Sequence, residues 1–236
     1  MTFVRSALFN CFFFLTTAVM TLGPGTYIRL AKPEAVLGLA QVWARIMLWA
    51  ARVICGIRLE VVGLDRLAGD GPRLIASLHQ STFDTIVWLT LLPRSCYVVK
   101  RELSRVPLFG PLLGLAGMII VDRSGGAAAL RGLIRDAERA VREQRQIVIF
   151  PEGTRGEPDE VLPLQPGIAA IAARTRLPVF PVVTNAGQFW GRRAFHKFPG
   201  TIHVRVLEPI AAGTERATLM ERLAEAFHTP VENLVS

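Results

Sequence analysis

LIASLHQSTFDTIVWL, residues 74–89, holds the fold and the chemistry in one piece. It opens as an apolar run of strand character and closes as a helical one, with His79 and Asp84 at the junction. On a helix, five steps of about 100° leave two side chains roughly 140° apart, on different faces. The pair can therefore meet only if His79 sits at or before the N-cap, where the helical angle no longer applies. The chain can then bend the imidazole over the first turn toward Asp84, and Ser81 or Thr82 can cap that start. Asp84 would accept a hydrogen bond from one ring N–H and leave the other nitrogen as a base for a substrate hydroxyl. The other reading is a capping Asp and a surface His, and the spacing alone leaves both open.

Outward from this stretch, short apolar runs alternate with longer helical ones. Strands are expected at 57–62, 73–78, 96–100, 118–121, 147–150, 179–184 and 202–208. Helices are expected near 82–92, 127–144, 167–176 and 214–227. This alternation predicts an α/β fold: a mostly parallel central sheet flanked by helices. In such sheets ligands gather at the carboxyl ends of the strands.

Two further polar clusters follow expected strands. In IVIFPEGTRG, residues 147–156, Gly153 lets the backbone approach a ligand, while Thr154 and Arg155 can donate to phosphate oxygens. The planar fork of Arg matches two oxygens at once. Glu152 would repel a phosphate, so it is expected to orient basic neighbours rather than touch the ligand. An ordinary β-turn with a solvated Glu–Arg pair is the plainer reading. Residues 98–123 place Lys100 and Arg123 at two strand ends, with an apolar Gly/Pro-rich stretch between them. Either cation can bind phosphate or an oxyanion, or be a surface charge. The apolar stretch is core or the wall of a lipid-chain tunnel.

Before residue 56 the pattern is different. No charge occurs from Ser6 to Ile28, and Gly23-Pro24-Gly25 is expected to end a first helix over 6–22. That helix would be about 25 Å long, short of a ~30 Å hydrocarbon core. A cleaved signal peptide is the competing reading, but no convincing small-x-small cleavage site follows. A second apolar stretch, 35–55, carries Gln41, Arg45 and Arg52 on one stripe, which suits a helix lying along a surface, or a soluble core helix with snorkelling arginines. We therefore expect residues 1–55 to form a membrane-associating helical hairpin dipping into one leaflet, and 56–236 a catalytic domain. The chain's 236 residues suit one large domain with such an appendage. Apolar residues make up 51%, enough for a sizeable core, and a net charge of +8 asks for an anionic partner. The apolar N-terminus points to a membrane rather than to nucleic acid. Cys11, Cys55 and Cys96, scattered and odd in number, fit neither a disulfide frame nor a metal site.

In this order the clusters resemble the 1-acylglycerol-3-phosphate O-acyltransferase family of glycerolipid acyltransferases. HQSTFD fits its H-x4-D motif, KRELSRVPLFG with GMIIVDR its second block, FPEGTR its third and LPVFPVV, residues 177–183, its fourth. The resemblance implies a membrane enzyme with its catalytic domain on the cytoplasmic face. It would move an acyl group from a thioester, of coenzyme A or acyl-carrier protein, to the 2-hydroxyl of a lysophospholipid acceptor, giving phosphatidic acid. By position, His79 becomes the base and Asp84 its orienting partner. Arg155 and Gly153 fall in the acceptor-phosphate motif with Glu152 and Thr154 in the same block, and Lys100 and Arg123 help hold phosphate or the oxyanion. A thiolate leaves readily, so no metal or other cofactor is expected. Cys96 stands away from His79 and is not expected to be a nucleophile.

One position departs from the family's pattern. Where a basic residue commonly precedes a glycine after the third block, this chain reads PLQPG, with Gln165. Phosphate binding would then rest more on Arg155 and Arg123, or the headgroup differs, as in a lyso-ornithine lipid. A non-catalytic lipid-binding protein and a thioester hydrolase are the readings from other classes. The basic, aromatic stretch 184–200, TNAGQFWGRRAFHKFPG, is either a membrane-surface segment or a solvated loop.

Overall fold

The computed structural model describes residues 1–69, 71–107, 109–122, 124–158 and 160–229. Helix α1 (Thr2–Met20) runs through a wide turn (Thr21–Gly25) into α2 (Thr26–Ala31). Helix α3 (Val36–Ala50) ends in a similar wide turn at Cys55, and β1 (Ile57–Val62) follows. The remaining chain builds β2 (Arg73–Ser77), α4 (Thr82–Leu91), β3 (Ser95–Lys100), α5 (Gly110–Leu115), β4 (Ile119–Val121), α6 (Gly126–Arg142) and β5 (Gln146–Ile149). It continues as α7 (Gly167–Thr175), β6 (Val179–Thr184), α8 (Ala186–Phe189), β7 (Gly200–Val206) and α9 (Arg216–His228). The seven strands lie in the order β1-β7-β6-β2-β5-β3-β4. All neighbours are parallel except β6 and β7.

The central strands carry apolar side chains on both faces because helices cover both. One layer of core joins Ile75, Val148 and Val182 to Phe83, Val87 and Trp88 of α4 and to Ala44 and Met47 of α3. The other joins Leu74, Ala76, Ile147 and Val179 to Leu133 and Ala137 of α6, Ile168 and Ile171 of α7, and Leu219 and Leu223 of α9. Phe9 of α1 belongs to the first layer, so the core continues into the N-terminal helices.

The expected stop at Gly23-Pro24-Gly25 does not occur: residues 2–31 are one continuous helical segment. The wide turn supplies the room that the Pro24 ring requires, as π-bulges commonly do. A Cβ at Gly25 would lie 2.8 Å from the Met20 carbonyl oxygen, so only glycine lets that oxygen approach. The Thr26 hydroxyl donates to the Thr21 carbonyl at 3.3 Å. The two long helices pair antiparallel, with Trp43 Nε1 donating to Thr17 Oγ1 at 3.0 Å. Gln41 has another task than its stripe suggested. Its amide donates to the Leu92 and Pro93 carbonyls at 3.2 and 3.1 Å, satisfying the C-terminus of α4, while Arg45 and Arg52 are exposed.

Candidate active site

Strand β2 lies between β6 and β5, so the residues just past Ser77, Ile149 and Thr184 come together at one carboxyl edge. His79 stands there, before the N-cap of α4, with its side chain 14% exposed. Ser81 is the cap. Its hydroxyl accepts from Phe83 N at 3.0 Å, and the Asp84 carboxylate reaches back to Ser81 N, closing a capping box. Asp84 Oδ2 also accepts from Gln80 N, each bond being 2.7 Å, and lies 3.4 Å from His79 Nδ1. The carboxylate is 2% exposed. One oxygen thus ends the helix and faces the imidazole, which places Nε2 on the opposite side of the ring. Ser81 caps the helix and His79 bends over the first turn to Asp84, as the spacing required, and Asp84 also closes the capping box.

The ring itself stacks on Phe150 at 4.1 Å between centroids, a contact the sequence reading did not single out. Beneath it, Trp88 Nε1 donates to Ser77 Oγ at 3.3 Å and fastens α4 to β2. Glu152 follows β5 and turns inward. Its Oε2 accepts from the His79 backbone N at 2.7 Å, and the His79 carbonyl in turn accepts from Gly156 N at 2.9 Å. The expectation for Glu152 is thereby altered: what it orients is the main chain of the histidine. Burial, assisted by Asp84 and Glu160, pushes its carboxyl up to about 7, against the His79 N–H, which favours the charged form. Gly153 has a φ of +73°, and its N–H donates to the Phe150 carbonyl at 3.0 Å, so the turn places a glycine where the left-handed conformation requires one.

Arg155 and Thr154 are half-buried beside this turn. Arg155 Nε is buried and has no hydrogen-bond partner among the described residues. Burial lowers its guanidinium from the ordinary value, the Asp84 charge opposes that, and the charges of Arg192 and Arg193 add to it. Those two arginines, in the loop after α8, are thus part of the local field. The basic character of their stretch was visible in the sequence, but not its approach to Arg155. Lys100 ends β3, exposed at the same edge and two strands from β2, roughly 10 Å across the sheet. Arg123 lies outside the described residues. Gln165 is exposed, with its backbone N donating to the Pro151 carbonyl at 2.7 Å.

Next to Glu152 opens a cavity of about 550 Å³, walled by Leu78, Gln80, Leu162, Thr184 and Phe227, with Glu160 beside Glu152 in its lining. Its acidic groups disfavour a phosphate there. The arrangement can take a proton from a hydroxyl at Nε2 and hold an anion at Arg155.

Comparison with known proteins gives the family and the fold. The family model described as Acyltransferase matches residues 58–185. A 1-acyl-sn-glycerol-3-phosphate acyltransferase of Pseudomonas aeruginosa is 39% identical over 164 residues, covering 70% of this chain and 63% of that protein. The 1-acyl-sn-glycerol-3-phosphate acyltransferase alpha of Mus musculus is 31% identical over 170 residues, 71% of this chain and 60% of that one. The chain therefore spans somewhat under two thirds of these relatives' length. Among solved structures, the 1-acyl-sn-glycerophosphate (LPA) acyltransferase from Thermotoga maritima shares the fold, with a TM-score of 0.78 at 20% identity over 99% of this chain and 98% of that one. Since the matched residues include His79, Asp84 and the whole 152–155 turn and make up more than half of the sequence, the chain belongs to the acyltransferase family.

Proposed function

We propose that the protein transfers a fatty acyl group from an acyl thioester to the 2-hydroxyl of 1-acylglycerol-3-phosphate, giving phosphatidic acid. The observation that carries this reading is an imidazole faced at Nδ1 by a buried carboxylate, at the same edge as a guanidinium whose buried Nε has no hydrogen-bond partner among the described residues. The names of the relatives support the substrate class. His79 Nε2 takes the hydroxyl proton as the oxygen attacks the thioester carbonyl. Asp84 stabilises the imidazolium that forms. The tetrahedral intermediate then collapses, the C–S bond breaks, and the leaving thiolate takes the proton from His79. Arg155, with Thr154, holds the acceptor phosphate, Gly153 lets the chain turn close to it, and Lys100 and Arg123 add positive charge. Glu152 fixes the His79 main chain. The donor is the thioester of coenzyme A or of acyl-carrier protein.

Residues 1–55 serve as the membrane-associating unit and 56–236 as the catalytic one. Two segments, Thr2–Ala31 and Pro33–Cys55, are long and apolar enough to cross a bilayer, and their outward side chains include Leu8, Phe14, Leu15, Val42, Trp49 and Val53. We place them in one leaflet, with the catalytic unit on the cytoplasmic face. Gln165 and the acidic lining of the cavity favour a second reading, in which the acceptor is a lysolipid with a cationic headgroup such as a lyso-ornithine lipid.

Thiol release from palmitoyl- and oleoyl-coenzyme A, with and without each lysolipid, tests both readings. Release that requires lysophosphatidic acid, yields phosphatidic acid and disappears in His79→Ala supports the first. Release driven only by the other acceptor supports the second, and release without any acceptor makes the protein a hydrolase.

A further inference from the structure

The segment from Gly191 to Pro199 is not used by the proposed reaction, yet it is firmly built. Lys197 is buried. Its backbone N donates to Ser6 Oγ of α1 at 2.9 Å, and its ammonium donates to Asn10 Oδ1 of α1 and to the Ala194 and Phe195 carbonyls at 3.2 and 3.0 Å. The same Nζ lies 5.8 Å from the Phe9 ring centre and 5.3 Å from that of Trp190. Asn10 Nδ2 closes the circuit onto the Phe195 carbonyl at 3.3 Å. A buried ammonium is tolerated only with such partners, and here three oxygens and two ring faces supply them. The loop is thereby locked to the first turns of α1.

That lock turns two aromatic side chains outward. Phe195 is 43% and Phe198 50% exposed. The Phe195 ring lies 5.2 Å from that of Phe3, itself 62% exposed, and Val4 and Leu8 continue the apolar surface along α1. Beside them Arg192 and Arg193 are exposed, and among the described residues neither takes part in an ion pair. Exposed phenylalanines flanked by unpaired arginines, continuous with an apolar helix, match the interface of an anionic bilayer in both polarity and charge.

We propose that residues 191–199 form a second membrane contact, with Phe195 and Phe198 entering an anionic leaflet beside Phe3 while Arg192 and Arg193 engage lipid phosphates at the rim of the site. This rests on the reading of residues 1–55 as membrane-associating and adds to it. The loop fixes which way the carboxyl edge faces. Helices α1 and α3 alone allow rotation about their long axes, whereas a contact off that axis does not.

Flotation of the full chain with phosphatidylcholine vesicles, with and without phosphatidylglycerol, tests this. Wild type is compared with Arg192→Gln/Arg193→Gln and Phe195→Ser/Phe198→Ser, each checked for folding by circular dichroism. The arginine pair is expected to weaken binding roughly fivefold per residue on anionic vesicles only. The phenylalanine pair should weaken it roughly tenfold on both. An environment-sensitive dye on Phe198→Cys, in a Cys11→Ser background, should shift to the blue on anionic vesicles, while the same dye on Arg131→Cys of α6 should not. If the phenylalanine pair does not fold, the dye decides alone. Wild-type flotation with unchanged variants and an unshifted dye overturns the loop contact and leaves the helices as the anchor. Wild type that floats with neither vesicle overturns the membrane reading itself. Self-association lost in the phenylalanine variant without lipid makes this face a protein interface and also overturns the proposal.

Discussion

The two halves of the site are built in opposite ways. Around His79 the backbone and the imidazole are fixed before any substrate arrives: Asp84 Oδ2 holds Gln80 N, Ser81 N and Nδ1, and Glu152 holds His79 N, while Asp84 Oδ1 alone is buried with no hydrogen-bond partner among the described residues. Around Arg155 the compensation is weaker: the Asp84 charge favours the guanidinium from a distance, but its buried Nε has no hydrogen-bond partner among the described residues, and the fields of Arg192 and Arg193 oppose it. A base must keep one tautomer and one orientation through every turnover, so its surroundings are made rigid. A binding charge gains most when its compensating partner is the ligand, so its surroundings stay open. On the proposed reading, the first half is structure that performs chemistry, and the second is a deficit for an anion to fill.

The sharpest way to break this contrast is His79→Ala. It is expected to lower turnover by roughly 10³-fold or more while leaving the fold and lipid binding unchanged, as measured by initial rates and thermal melting. A smaller loss would place the base elsewhere. Asp84→Asn should reduce turnover by roughly 10²-fold and also lower the melting temperature, because one oxygen serves both cap and tautomer. An effect on rate with none on stability would separate those two roles.

Glu152→Gln sharpens the rigid half further. The wild-type carboxyl, raised by burial to about 7 from an ordinary 4.5, is protonated in the folded chain and ionised in the unfolded one between those values. The folded state therefore binds the extra proton, and wild-type stability falls as pH rises through this window. The glutamine, which still accepts from His79 N, should remove that slope and leave the variant more stable above pH 7, by at most roughly 3 kcal/mol. Denaturant melts across the window measure it. On the open half, Arg155→Lys should raise the KM for the acceptor about tenfold, with kcat and stability little changed, since a point charge replaces a fork. A loss of stability instead would mean that Arg155 belongs to the scaffold.

Much of this was legible in the residues. The runs at 57–62 and 179–184 appear as β1 and β6 to the residue, and the others lie within two positions at each end, because apolar runs bounded by Pro, Gly and charges define strands well. The His–Asp junction was legible for a similar reason, since only a helix start lets that spacing close. Pro24 misled because a helix can widen by one residue around it, which no propensity records. Gln41 misled because a helical stripe shows which side chains share a face, not what that face meets. The approach of Arg192 and Arg193 to Arg155 escaped because a loop has no period to read. The direction of β7 escaped too, since alternation along a strand is the same read either way.

That direction has a consequence for kinetics. A connection between parallel neighbours carries the chain to the far end of the sheet, whereas β6 turns back into β7 at the carboxyl edge. Strand β1 runs with β7, Ile57 opposite Gly200, so the N-terminal helices also join the sheet at that edge. The N-terminal helices and His79 therefore share one end of the sheet. With those helices in a leaflet, an acceptor comes to His79 by lateral diffusion, and the search is two-dimensional. The rate is then expected to follow the surface mole fraction of lysolipid, and to fall when inert lipid dilutes the leaflet at constant bulk concentration.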